Sequence, residues 1–97
     1  GLAAGHWCEA LRMEMSNSVT DERAIAWLAW DLTPVPVDPD PTEIIRSVRV
    51  PFPDLLAEIG RGSIRDAFTV ATTLRAYHMA REGDLPDRLA QAMLGRV

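Results

Sequence analysis

The chain predicts an α+β fold of about three strands followed by three helices. Three observations point there: an alternating segment and an apolar segment open the sequence, a proline-rich stretch interrupts it, and helical spacing dominates from Pro53 onward. The first strand is read over His6 to Met15, where Trp7, Leu11, Met13 and Met15 share one face and Cys8, Arg12 and Glu14 the other. A period of two over that length is the pattern of a half-buried strand. Ala24-Ile25-Ala26-Trp27-Leu28-Ala29-Trp30 is apolar throughout, and its length and two tryptophans favour a buried strand over a short helix. Between the two lies the polar loop Ser16-Asn17-Ser18-Val19-Thr20-Asp21-Glu22-Arg23, which can hold a metal ion or a polar ligand.

Four prolines between Thr33 and Pro41 remove backbone donors and fix φ, so residues 33–42 are expected as a stiff, extended loop. A third strand is read over Ile44 to Val50, with Ile44, Val48 and Val50 on one face and Ser47 and Arg49 on the other. Arg46 falls on the apolar side, which makes this strand short or peripheral. A brief helix then runs from about Pro53 through Leu55, Leu56 and Ile59 to a terminator at Gly60. The next starts at Ser63, whose hydroxyl caps free backbone donors, with Asp66 three residues on at the positive helix end. Its apolar face is read as Ile64, Ala67, Phe68, Ala71, Leu74 and His78, and Gly83 ends it. The last helix begins near Pro86 and presents Leu85, Leu89 and Met93 on one side, with Gly95 close to its end.

Ninety-seven residues fit a single domain or part of one, and exclude two. A chain this short buries roughly 60–68% of the surface its unfolded form exposes, so its stability is thin unless another segment covers the rest. A net charge of −4 removes the electrostatic footprint of a nucleic-acid or anionic-membrane binder, and neither partner is expected. The single cysteine, Cys8, permits no internal disulfide and reads as a buried small side chain. The longest apolar run falls far short of the roughly 20 residues that span a bilayer, and no charged-then-apolar leader opens the sequence. A cytoplasmic location is expected.

A strand, a polar loop closing on Asp21-Glu22 and an apolar strand resemble the Nudix hydrolases, in particular the branch that cleaves ADP-ribose and related nucleoside diphosphate sugars. Pro39-Asp40-Pro41-Thr42-Glu43-Ile44 is similar to that branch's acidic loop, and Val50-Pro51-Phe52-Pro53-Asp54-Leu55-Leu56 to the start of its following helix. Gly62-Ser63-Ile64-Arg65-Asp66-Ala67-Phe68-Thr69 is similar to the opening of its last long helix, so the resemblance covers most of the chain. The defining glutamate motif is represented only by Gly1-Leu2, which match its last two positions.

The resemblance implies the C-terminal portion of a Nudix-type α/β/α sandwich, whose intact form hydrolyses the diphosphate of a small nucleotide substrate with Mg²⁺ or Mn²⁺. It places Glu22 as an accessory metal or substrate ligand, and Ser16 and Trp7 on the substrate side, Trp7 as the base-stacking candidate. Asp38 or Asp40 stands where some members carry a catalytic carboxylate. With the motif glutamates absent from these residues, the fragment alone is expected to be inactive and to bind no metal tightly. It is expected to associate with the missing half or, since this branch often dimerises, with a second copy.

Each residue also has a plainer reading. Asp21 and Glu22 fit solvated turn residues or the first-turn acids of a helix, and Asp38 and Asp40 fit solubilising loop acids. Trp7, Trp27 and Trp30 fit core positions, and His6 and His78, far apart in sequence, carry no catalytic assignment. From a different class altogether comes a non-catalytic interaction module that assembles through exposed strand edges. An unrelated α+β domain with accidental motif similarity is the third reading.

Overall fold

The computed structural model describes residues 1–15, 22–37 and 47–95, which form one antiparallel hairpin followed by three helices. Strand β1 (Leu2–Glu14) pairs with β2 (Arg23–Pro34). The hairpin is tied at both ends: the Met15 N–H donates to the Glu22 carbonyl at 3.0 Å, and the Val35 N–H to the Gly1 carbonyl at 3.0 Å. The α+β class is the expected one, but the described residues hold two strands rather than three. Residues 47–50 belong to no strand, with Val48 and Val50 74% and 54% exposed. Alternation there marks no buried face, because no described strand takes up the backbone groups of those residues. The first three residues of that expected strand, 44–46, lie outside the described residues.

The hairpin is not regular. Its register runs Glu9↔Trp27 and then Leu11↔Ala26, so Ala10 is the extra residue of a β-bulge. An inserted residue changes the parity of everything beyond it. Cys8 therefore shares a face with Leu11 and Met13, and Trp7 is turned to the opposite face, 61% exposed, contrary to the uniform alternation read from the sequence. Ala10 itself is only 4% exposed, and its carbonyl accepts a 2.8 Å hydrogen bond from Arg75 Nε. The bulge thus has its backbone acceptor satisfied from the helical layer. Strand β2 also differs from the buried strand expected. Ala26 and Leu28 pack on the core, while Ile25 and Trp27 face outward, because helices cover only one face of the hairpin.

Helix α1 (Phe52–Gly60) starts as expected, with Pro53 and Asp54 in its first turn. Its last turn uses the serine assigned to the next cap. The Ser63 N–H donates to the Glu58 carbonyl at 3.1 Å, and the Glu58 carboxyl is held below its ordinary value by Arg61 and then by the Ser63 side chain. Helix α2 (Ala67–Glu82) is accordingly capped by Asp66, whose Oδ2 accepts from the Thr69 hydroxyl at 2.7 Å and the Thr69 N–H at 3.0 Å. Those two bonds lower the Asp66 carboxyl below its ordinary value. Gly83, at φ 80°, supplies the left-handed residue that stops α2. Helix α3 (Asp87–Met93) follows Pro86.

The buried face of α2 is Thr73, Ala76, Met79 and Ala80 rather than the Phe68, Leu74 and His78 stripe, which is exposed. Three of the four buried residues are small, which lets the helix backbone approach β1 and α3 closely. Ala10, Met79, Ala80, Leu85 and Ala90 make the core, with Cys8 half-buried against it and Leu89 and Met93 packed around it from α3 as expected. No large side chain among the described residues is completely buried. The radius of gyration, 15.3 Å, exceeds the roughly 13 Å of a compact 100-residue domain. One face of the hairpin is left without a covering layer among the described residues.

Candidate functional site

The helix-facing side of the hairpin, near the Gly1 end, brings a histidine, an aspartate and an arginine around one tryptophan. Pairing puts His6 opposite Trp30, and their rings stack at 5.7 Å between centroids and 18° between planes. His6 Nε2 lies 3.0 Å from Asp31 Oδ2. Asp31 reaches it from an unusual backbone conformation, φ 57°, one that Asp tolerates better than most non-glycine residues. Gly5 makes room for this: a Cβ at position 5 would stand 3.1 Å from the Asp31 Cβ. Above the pair, Pro86, Arg88 and Leu89 from the start of α3 complete a cleft of about 480 Å³ with His6, Trp30 and Asp31.

The loop end of the hairpin is built differently. Glu22 is exposed immediately before β2, and its carbonyl closes the loop through the Met15 bond. Next to it a hollow of about 330 Å³ is lined by Arg12, Met13, Glu14, Arg23, Ala24 and Ile25, with Arg12 Nε 2.9 Å from Glu9 Oε1. On the outer face, Trp7 and Trp27 border an open hollow of about 320 Å³. Trp7 pairs with Ala29, seven residues along β2 from Glu22, which separates the two by about 23 Å at about 3.3 Å per residue. Glu22 and Trp7 therefore occupy different ends of the sheet. Ser16, Asp38 and Asp40 lie outside the described residues.

None of the three tryptophans is a buried core residue, although strand position favours that; Trp30 is half-buried and the other two are largely in water. Among the described residues no three His, Cys, Asp or Glu side chains come together in a way that would hold a metal ion. The residues missed from the sequence are Trp30, Asp31 and Arg88 as companions of His6. The available signal was Gly5 within an otherwise strand-like run. Interpreting it requires the hairpin register, which the bulge at Ala10 decides. No family model, curated protein or solved structure matches this chain.

Proposed function

We propose that these residues form the C-terminal part of a Nudix-type pyrophosphohydrolase acting on a nucleoside diphosphate linked to a second group, as in ADP-ribose. The observation that carries the reading is the order in which the quoted segments fall on the fold. The Ser16–Arg23 segment connects two antiparallel strands, Pro51–Leu56 opens α1, and Gly62–Thr69 leads into α2 through its Asp66 cap. The uncovered hairpin face agrees with a sheet that is completed by residues outside this chain. On this proposal the chain contributes scaffold and loop, with Glu22, immediately before β2, at the sheet end toward which the diphosphate would lie. In this reading Mg²⁺ or Mn²⁺ is held by the motif glutamates upstream, and the 97-residue chain alone is inactive.

The test compares AMP release from ADP-ribose, with Mg²⁺ present, by the 97-residue chain and by a longer polypeptide that includes the upstream coding sequence. Release by the longer protein alone supports the reading, and a Glu22→Gln variant should lower its kcat/KM. Equal release by the short chain, or none by either, overturns it.

A second reading is favoured by a specific observation. Each strand of the hairpin has one edge without a described neighbour, and Trp7 and Trp27 stand beside each other on the open face. Edges and aromatic faces of that kind recruit another chain, so a non-catalytic module that assembles through them accounts for the same surface.

A further inference from the structure

We infer that the cleft between the His6–Asp31 pair and the start of α3 binds a small aromatic monocarboxylate. This goes beyond the pyrophosphohydrolase reading and does not depend on it.

The walls set the apolar part of the ligand. Trp30, Pro86 and Leu89 provide aromatic and aliphatic surface, and a volume of about 480 Å³ lies within the usual range for small-molecule pockets. Trp30 is held by its stack on His6, so the ring surface is oriented before any ligand arrives.

Charge sets the polar part. Asp31 is engaged by His6 at 3.0 Å, whereas the Arg88 side chain makes no hydrogen bond or ion pair among the described residues. A guanidinium presents a planar fork that matches a carboxylate with two parallel hydrogen bonds. The Asp31 carboxylate in the same cleft disfavours a doubly charged phosphate more than a single carboxylate, because repulsion scales with the ligand's charge. A flat ring against Trp30 with one carboxylate toward Arg88 satisfies both sets of constraints.

Asp31 carries its carboxylate from a positive-φ backbone that a side chain at Gly5 would crowd, and locally constrained backbone of this kind is concentrated at ligand sites.

The experiment is a titration of the 97-residue chain with benzoate, followed by ¹H–¹⁵N NMR at the Trp30 indole N–H and the Leu89 amide, without metal or nucleotide. Benzyl alcohol and inorganic phosphate serve as the neutral and non-aromatic probes. Saturable shifts at both positions with benzoate are expected, with binding at least about tenfold weaker for benzyl alcohol, for phosphate and for the Arg88→Gln variant. An Arg81→Gln variant, which changes an arginine paired with Tyr77 on α2, should bind benzoate like the original chain. Because Arg88 is exposed, the spectrum of Arg88→Gln should otherwise retain its dispersion. The inference is overturned by non-saturable shifts, by phosphate binding as well as benzoate, or by unchanged affinity in Arg88→Gln. Since the assay contains no diphosphate, its failure leaves the hydrolase reading untouched, and the reverse holds as well.

Discussion

On the proposal that the open hairpin face recruits another chain, pairing with a second copy is expected, which replacing Trp7 and Trp27 together by serine should abolish. The two rings are 61% and 52% exposed and border the same hollow on the hairpin's uncovered face. A tryptophan side chain buries about 150–250 Å² when fully covered, so the pair leaves roughly 200 Å² in water. At about 25 cal/mol per Å², covering that area contributes up to about 5 kcal/mol. Association costs several kcal/mol in lost freedom, so the original chain should assemble only modestly, and the double variant should lose the association altogether. Single variants should each lose about half of the effect. Sedimentation velocity over a concentration series reads the assembly, and tryptophan emission reports whether the rings leave water. A chain that stays monomeric at every concentration, with solvated tryptophan emission, would refute the reasoning. So would an assembly that the double substitution leaves intact.

Three further outcomes test the scaffold. Arg75→Met should destabilise the fold by about 1–3 kcal/mol, seen as a drop of several degrees in Tm, because the Ala10 carbonyl at the bulge loses its donor. Leu85→Ala, at a position 4% exposed in a small core, should cost about 2–5 kcal/mol in chemical denaturation, a large share of the roughly 5–15 kcal/mol typical of whole domains. Asp66 has its folded carboxyl lowered from an ordinary value of 3.8 by Thr69, so its contribution to α2 is complete above that value and is lost as pH falls through the lower folded one. Asp66→Asn keeps a capping oxygen but should remove this acid-limb dependence, measured as α2 helicity by circular dichroism from pH 5 to pH 2.

The helices were the most legible part of the sequence because their signals are local. Pro53 at one start and Gly83 at one end act through their own backbone, and both stand where expected. The sequence offers two candidate caps within one turn, Ser63 and Asp66, and the fold uses Asp66 because the end of α1 claims the serine. Hydrophobicity points to Phe68 and Leu74 as the buried face of α2, whereas close packing selects the alanines. In the strands, alternation located β1 but could not reveal a single inserted residue, and that residue determines which way Trp7 points. The His6, Trp30, Asp31 and Arg88 grouping was invisible for the same reason, since it needs the pairing register and the position of α3 together. Glu22 could be placed, but the loop before it and the acidic residues at 38 and 40 belong to the parts of the sequence outside the described residues.

The hydrogen bond from Arg75 to Ala10 joins residues 65 positions apart in sequence, whereas the hairpin and the α2–α3 pair each form from nearby segments. Docking the two layers must therefore close a long loop, and contacts of that range form late relative to local ones. The interface between the layers is then the natural seam for partial opening. Once the layers part, α2 loses the packing that supports it, so its amides facing β1 should exchange by opening of the helix itself, at a lower free energy than global unfolding.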